Sequence, residues 1–342
     1  MPASEREPRR AEHGLSGDGL LYALFVAICL GLGYATLARY DASAPSHGGG
    51  DARHYHAMVE GREVVHPTAS VFATRVLVPS LARALLPLFE GRIGSWSPTA
   101  LALLIVNSLF VAGTALLVVI VSRRMDGRRD VGLVAALLYL ASFAIPNLEL
   151  AGLVDSAEGF VLLGVVAALL ARRWWWLVPL AILGALAKEA VLPLSAVLVA
   201  TWAWASRAQS EEARPPLVPC VAGGLAGAMA FVLVRLWVLD RWVFPWDVAT
   251  TLARPSLITD LSRLVDRSAL YVFGWLLPLG LPRVRELPRE WRLGTVAMSL
   301  VATAFALLAH GTVVRLAFDI AAPLLAIAAA RLLLEDRARE RA

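Results

Sequence analysis

The run PTALALLIVNSLFVAGTALLVVIV at residues 98–121 holds 24 residues and not one charge. About 20 consecutive apolar residues in a helix suffice to cross the hydrocarbon core of a bilayer. This run therefore reads as a membrane span. Directly after it comes SRRMDGRRD at 122–130, with four arginines in a short loop. Such loops stay on the cytoplasmic side of a membrane, so one segment suggests both the class of the chain and its direction through the bilayer.

Working outward, comparable apolar segments lie at 20–38, 131–146, 150–171, 174–187, 190–206, 217–239, 268–281, 293–309 and 312–334. With 98–121 they predict an all-α fold, a polytopic transmembrane bundle of about ten helices, several of them shorter than a full crossing needs. The composition agrees, with 58% hydrophobic residues and a mean hydropathy of +0.65. A net charge of +5 raises the question of nucleic acid. The arginines sit in short loops between apolar segments rather than along one soluble face, and the positive-inside bias accounts for them without a nucleic-acid partner. Cys29 and Cys220 both lie in apolar stretches and read as small hydrophobes, not as a disulfide framework or a metal cluster. The segment 20–38 is too long for a signal-peptide core and lacks a convincing cleavage site, so it reads as a retained first span.

With the N-terminus in the cytoplasm, the inner connections are 123–130, 172–173, 207–216, 282–292 and the tail 335–342. Each carries arginine. The outer connections are 39–97, 147–149, 188–189, 240–267 and 310–311, and the short ones hold almost no arginine, as the orientation rule expects. Segment 71–89 is apolar enough to suggest another span. Arg75 and Arg83 at the centre of a lipid-facing helix would cost roughly 3 kcal/mol each, and Pro79 and Pro87 interrupt it. Residues 52–89 thus read as part of a large external loop with interfacial helices. Trp174, Trp175 and Trp176 fall at the inner interface, Trp242 and Trp246 at the outer one. The expected organisation is a cytoplasmic tail at 1–19, one membrane domain at 20–334 that includes the external loop 39–97, and a cytoplasmic tail at 335–342.

Candidate site residues gather on the outer face in this topology. Asp51-Ala-Arg-His-Tyr-His-Ala-Met58 follows the first span, and Pro67, Phe72, Arg75 and Pro79 come after it. Pro146-Asn147 and Asp155 are followed about thirty residues later by Gly184-Ala-Leu-Ala-Lys188-Glu189 and Pro193. Arg315 opens the last apolar segment, with Pro323 inside it. In order and spacing these residues resemble the bacterial polytopic glycosyltransferases of the GT-C superfamily, over most of the chain, although no single match is longer than a few residues. The resemblance implies a GT-C-like membrane fold and a hexosyl- or pentosyltransferase that uses a polyprenyl-phosphate sugar.

Such a reaction needs cations and a carboxylate at one water–lipid boundary. Asp51 supplies a carboxylate able to act as general base; its plainer role is an N-cap of a helix beginning near Ala52. Tyr55 stands in register with it. His54 and His56 have no place in the superfamily pattern and read more simply as solvated loop residues than as ligands of a metal or an acceptor. Asp155 and Glu158 share a helix face. Asp155 either orients an acceptor or cation, or only pairs with Lys188 or an arginine; Glu158, deeper in its span, reads as a packing or hydrogen-bonding residue. Lys188 and Glu189 lie where two short segments meet, and neighbouring helical residues point about 100 degrees apart, so they are expected to face different partners. Arg75, Lys188 and Arg315 are the candidate donor-phosphate ligands, with snorkelling as the plain alternative for Lys188 and Arg315. His310 lies beside Arg315. The loop 240–267, with Asp247, Asp260 and Asp266, has no diagnostic spacing.

The expectation is an inverting glycosyltransferase in a bacterial inner membrane, with Asp51 and Asp155 as catalytic carboxylates, acting on the outer face. The donor is a polyprenyl-phosphate sugar and the acceptor a cell-envelope glycan, glycolipid or protein. No metal ligands are assigned and no cofactor is certain; the resemblance leaves a divalent cation open. The alternatives are a transporter or flippase of a lipid-linked intermediate, whose site would sit near the midplane between repeats, and a non-catalytic scaffold with the same fold.

Overall fold

The computed structural model describes residues 14–39, 51–62, 72–94, 97–208, 214–244, 267–309 and 313–340. The described residues form helices, named here in chain order: α1 (Gly14–Arg39), α2 (Ala52–Val59), α3 (Leu77–Leu85), α4 (Pro98–Asp126), α5 (Arg129–Leu140), α6 (Asp155–Leu170), α7 (Leu177–Ala187), α8 (Val191–Ala205), α9 (Leu217–Leu239), α10 (Arg267–Phe273), α11 (Leu276–Gly280), α12 (Arg289–Ala309) and α13 (Val313–Glu340). Each of the ten apolar segments read from the sequence contains helix. By length and apolar composition, four helical stretches among the described residues are able to cross a membrane: Gly17–Ala35, Pro98–Asp126, Leu217–Leu239 and Val313–Glu335. Among the described residues there is no strand.

α4 is the central post, and its ends are written in its sequence. Ser97 caps it, its side chain accepting from the Ala100 N–H at 3.3 Å, and Pro98 occupies the first turn, where no N–H is required. At the far end Gly127 takes the left-handed conformation, φ 68°, and its N–H closes on the Arg123 carbonyl at 2.8 Å. Around α4 pack α1, α5 and α6; α13 lies across α5 and α6, and α7 is flanked by α9. The core is apolar, with Phe25, Cys29, Tyr139 and Phe318 among its fully buried side chains. Tyr139 and Phe318 stack with centroids 5.6 Å apart and join α5 to α13.

α9 is peripheral. Leu217, Val221, Leu225, Met229, Leu233 and Trp237 recur every four residues along one exposed face. A water-soluble protein seldom presents so continuous an apolar stripe; hydrocarbon removes the penalty. The described residues are those of an all-helical membrane protein.

The described residues of segment 39–97, expected on the outer face, contain two short helices, α2 and α3, with the break near Pro79 and Pro87 that the sequence suggests. Pro79 lies in the first turn of α3, where its missing N–H costs no hydrogen bond, and Pro87 falls in the 3-10 turn Leu86–Leu88 that ends the helix. The segment between α5 and α6 departs from expectation. Instead of a helix to residue 146 and a short turn, α5 stops at Leu140 and a π-helical turn runs over Ile145–Glu149 before α6 starts at Asp155. The Asn147 side chain donates to the Phe143 carbonyl at 2.9 Å within this turn. Glu149, expected in an outer connection, is fully buried.

Two groups of charges occupy opposite ends of α4 and α13. At one end Arg123 pairs with Asp18 at 3.2 Å, Arg331 with Asp126, and Arg283 with Glu335 at 3.0 Å. The connections 123–130 and 282–292 thus meet at the C-terminal ends of α4 and α13. The candidate site lies at the other end.

Candidate functional site

α6 carries the site's buried carboxylates on its first turn. Asn107 of α4 donates to the Leu153 carbonyl at 3.0 Å and accepts from the Ser156 hydroxyl at 2.6 Å, so both sides of the helix start are clamped to α4. Asp155 opens α6 and Glu158 follows one turn later. Acidic groups there suit the positive end of the helix dipole. Lys188 reaches both, its ammonium Nζ donating to Asp155 Oδ1 at 2.5 Å and to Glu158 Oε2 at 2.5 Å. All three side chains are buried, with Lys188 8% exposed and Glu158 0%. Snorkelling is therefore not what Lys188 does: it lies inside, between two carboxylates.

Helix α7 ends at Ala187 because Lys188 is extended, φ −165° and ψ 143°. That break turns the next residue elsewhere. Glu189 accepts from Arg75 Nε at 2.9 Å and from its Nη2, while Arg75 Nη1 donates to the Tyr55 hydroxyl at 2.8 Å. Tyr55 comes from α2 and Arg75 from just before α3, and the Phe72 ring lies 5.3 Å beneath the guanidinium. Burial pushes the Tyr55 phenol up to about 12, against the opposing pull of Arg75. It stays a neutral partner to the arginine throughout the physiological range.

Asp51 precedes α2 but makes no side-chain capping bond. Its carboxylate turns instead to Arg315, in the first turn of α13, whose Nη1 lies 3.5 Å from Asp51 Oδ2 and 3.9 Å from Asp155 Oδ2. This pair is the open part of the site: the Asp51 side chain is 39% exposed and that of Arg315 33%. The lysine and glutamate of the buried ion pairs, and Arg75, are far less accessible. The polar contacts run in sequence from Tyr55 through Arg75 to Glu189, and from the adjacent Lys188 through Asp155 and Arg315 to Asp51.

The histidines differ from expectation. His54 is not solvated: it is 7% exposed and stacks on Phe72 with centroids 4.7 Å apart and planes 14° from parallel. His56 is half-buried, and desolvation lowers its pKa despite the charge of Glu60. The hydrophobic inner face of α2 draws both in. His310, Pro67, Trp246, Asp247, Asp260 and Asp266 lie outside the described residues.

Glu149, Asp319 and Arg235 are buried near this network and were not anticipated. Both carboxylate oxygens of Glu149 and of Asp319 lack a hydrogen-bond partner among the described residues. Arg235, 2% exposed, lies over the Phe231 ring with its guanidinium 3.3 Å from the centroid. The signal that marks all three is an ionisable residue in an apolar run, which is costly and seldom without purpose.

No protein-family model matches the sequence, and no curated protein matches it. Among solved structures, the chain is similar to the archaeal oligosaccharyltransferase AglB from Archaeoglobus fulgidus, determined in complex with an inhibitory peptide and a dolichol-phosphate. The TM-score is 0.56 at 11% identity; the match covers 95% of this chain and 51% of that one. The chain thus spans about half the length of the oligosaccharyltransferase, and at this identity the likeness is one of fold. It agrees with an all-helical membrane fold over the described residues.

Proposed function

We propose that the chain is an integral membrane glycosyltransferase that takes a sugar from a polyprenyl-phosphate donor on the outer face of a bacterial inner membrane. The acceptor is a hydroxyl of a cell-envelope glycan, glycolipid or protein. The observation that carries this reading is the Asp51–Arg315 pair. A carboxylate and a guanidinium stand 3.5 Å apart, both partly exposed, over a buried base of ion pairs. The similarity in fold to an oligosaccharyltransferase bound to a lipid phosphate supports the donor class.

Asp51 accepts the proton of the acceptor hydroxyl as its oxygen attacks the anomeric carbon. The bond from that carbon to the phosphate oxygen breaks, and its electron pair leaves with the lipid phosphate. Attack opposite the leaving group inverts the anomeric centre. Arg315, loosely engaged by Asp51 and Asp155, contacts the phosphate and offsets the charge that grows on it. Arg75 and Lys188 already face carboxylates, so they act by position. Lys188 holds Asp155 beside Arg315, and Arg75 with Glu189 and Tyr55 ties the external loop to the α7–α8 break.

Asp51→Asn tests the assignment. The amide keeps the volume but cannot take up a proton at neutral pH, so transfer should fall by roughly 100-fold to 10,000-fold while donor binding is retained. The measurement is product formation from radiolabelled polyprenyl-phosphate sugars by purified protein, with a membrane extract as acceptor. Turnover at the parent rate removes Asp51 from the mechanism, and movement of the lipid between leaflets without transfer replaces the enzyme reading with a transporter.

A further inference from the structure

The face of α9 that packs inward ends in a charge. Pro219, Gly223, Gly227, Phe231 and Arg235 recur every four residues and are all buried. A Cβ added at Gly223 would stand 3.2 Å from the Leu177 carbonyl oxygen, and one at Gly227 would stand 3.1 Å from Ala181 Cβ and 2.5 Å from Leu192 Cδ2. α9 therefore runs beside α7 in the same direction and touches α8 as well. A step of four on α9 matches a step of four on α7, and the same register carries Arg235 to the level of Glu189, at the break between α7 and α8. The charges that act on Arg235 are Glu189 and Arg75.

Glu189 already has a partner. Both of its oxygens accept from Arg75, one from Nε at 2.9 Å and the other from Nη2. Arg235 bonds only within its own helix among the described residues, Nη1 donating to the Phe231 carbonyl at 3.4 Å while the guanidinium lies on the Phe231 ring. An arginine does not shed its charge, and an unmatched ion in a low-dielectric interior is costly. Two guanidinium groups thus stand beside one carboxylate, and one of them holds it.

We infer that Glu189 is exchanged between the two arginines: Arg75 holds it in the docked state, and Arg235 takes it when Arg75 and the start of α3 lift away, which makes Arg235 a positioning residue for the segment that carries Arg75. Without a replacement, lifting Arg75 would strand Glu189 as an uncompensated buried charge. With Arg235 beside it, the carboxylate stays matched in both states. The cations differ in what they can do when released. Arg235 is fixed in a span by its helix, whereas Arg75 precedes a short helix with exposed residues and can carry its charge into water. Tyr55 is held by the same guanidinium at 2.8 Å, so α2 loses a tie to Arg75 in the same event. Lys188 takes no part, because its bonds go to α6. A freed Arg75 presents a planar fork of donors, suited to an incoming anion. The inference does not require that the protein transfer a sugar.

The experiment is hydrogen–deuterium exchange of the full-length, detergent-purified protein, read by mass spectrometry in segment 72–85 with segment 98–126 as the internal reference, since exchange reports local opening. Arg235→Met removes the competitor and should slow exchange in 72–85 by roughly threefold or more relative to the reference, within the range of couplings in a shared ion-pair network. A merely structural arginine gives the opposite sign, because truncating a buried side chain loosens what packs on it. Arg235→Lys keeps the cation and should exchange near the parental rate. Glu189→Gln should speed exchange in 72–85, and adding Arg235→Met to it should change nothing further. Equal or faster exchange in Arg235→Met overturns the inference, as does the same slowing in the Glu189→Gln background. If Arg235→Met fails to fold, Arg235→Gln, which drops the charge and keeps hydrogen-bonding capacity, decides by the same sign.

Discussion

Lys188 and Glu189 are consecutive, yet they bond to opposite sides of the site. Lys188 enters the α6 carboxylates and Glu189 receives Arg75, which lies just before α3. The extended backbone at Lys188 separates them. The cation follows the C-terminus of α7 and the carboxylate precedes the N-terminus of α8, each where the helix dipole favours it. Two residues thereby hold three segments together.

Removing the lysine should expose that dependence. Lys188→Met leaves Asp155 and Glu158 without their common partner and should destabilise the protein by about 3–5 kcal/mol, read as a fall in thermal midpoint in detergent. Adding Glu158→Gln to Lys188→Met removes one of the stranded charges and should recover part of the loss. A single variant as stable as the parent would mean that the ion pairs are not structural.

Arg315 is open and loosely bonded, so its role should separate cleanly from folding. Arg315→Ala should weaken binding of a polyprenyl-phosphate sugar by about 1.5–3 kcal/mol, the range for hydrogen bonds to a charged group, with the thermal midpoint little changed. Arg315→Lys keeps the charge but loses the fork and should fall between the two. Equal donor affinity in all three proteins would place the phosphate elsewhere.

The depressed pKa of His56 fixes the sign of a pH effect. Burial in the folded loop disfavours the imidazolium, and Arg62 adds to that while Glu60 opposes it. As pH falls through about 6.5, the unfolded chain takes up a proton that the folded chain refuses, so stability is lost on acidification. His56→Gln should reduce the difference in thermal midpoint between pH 7.5 and pH 5.5, and an unaltered difference would assign it to other groups.

Orientation is tested by labelling. If the arginine-bearing connections are cytoplasmic, a cysteine at Arg128 is protected from an impermeant maleimide in intact cells and one at Glu90 is labelled. The reverse pattern inverts the topology.

Helix positions were legible because hydrocarbon demands long apolar runs; the divergence of Lys188 and Glu189 was expected too, but the extended backbone at Lys188, not a helical offset, produces it. The role of Asp51 was less legible. A short polar residue before a helix has a cap as its plain reading, and only the fold brings Arg315, 264 residues away, near enough to replace it. Asp319 and Glu149 were passed over for a related reason. Each is a single acid in an apolar stretch, and its meaning lies in the contact of helices distant in sequence, such as Asp319 on Gly159. The histidines misled because α2 looks polar in one dimension, while its apolar face turns inward against α3 and α4.

The charged ends of α13 bear on the bilayer itself. Arg331 follows Arg315 by sixteen positions, about 24 Å at 1.5 Å per residue, several ångströms short of a typical hydrocarbon thickness of about 30 Å. Where the headgroup layer follows the charges at both ends of the bundle, the bilayer around it would be thinned by that difference, at a cost of fractions of a kcal/mol per ångström of mismatch. On the proposed function, a headgroup layer drawn toward the Arg315 end would bring a phosphate carried among the lipids level with the guanidinium.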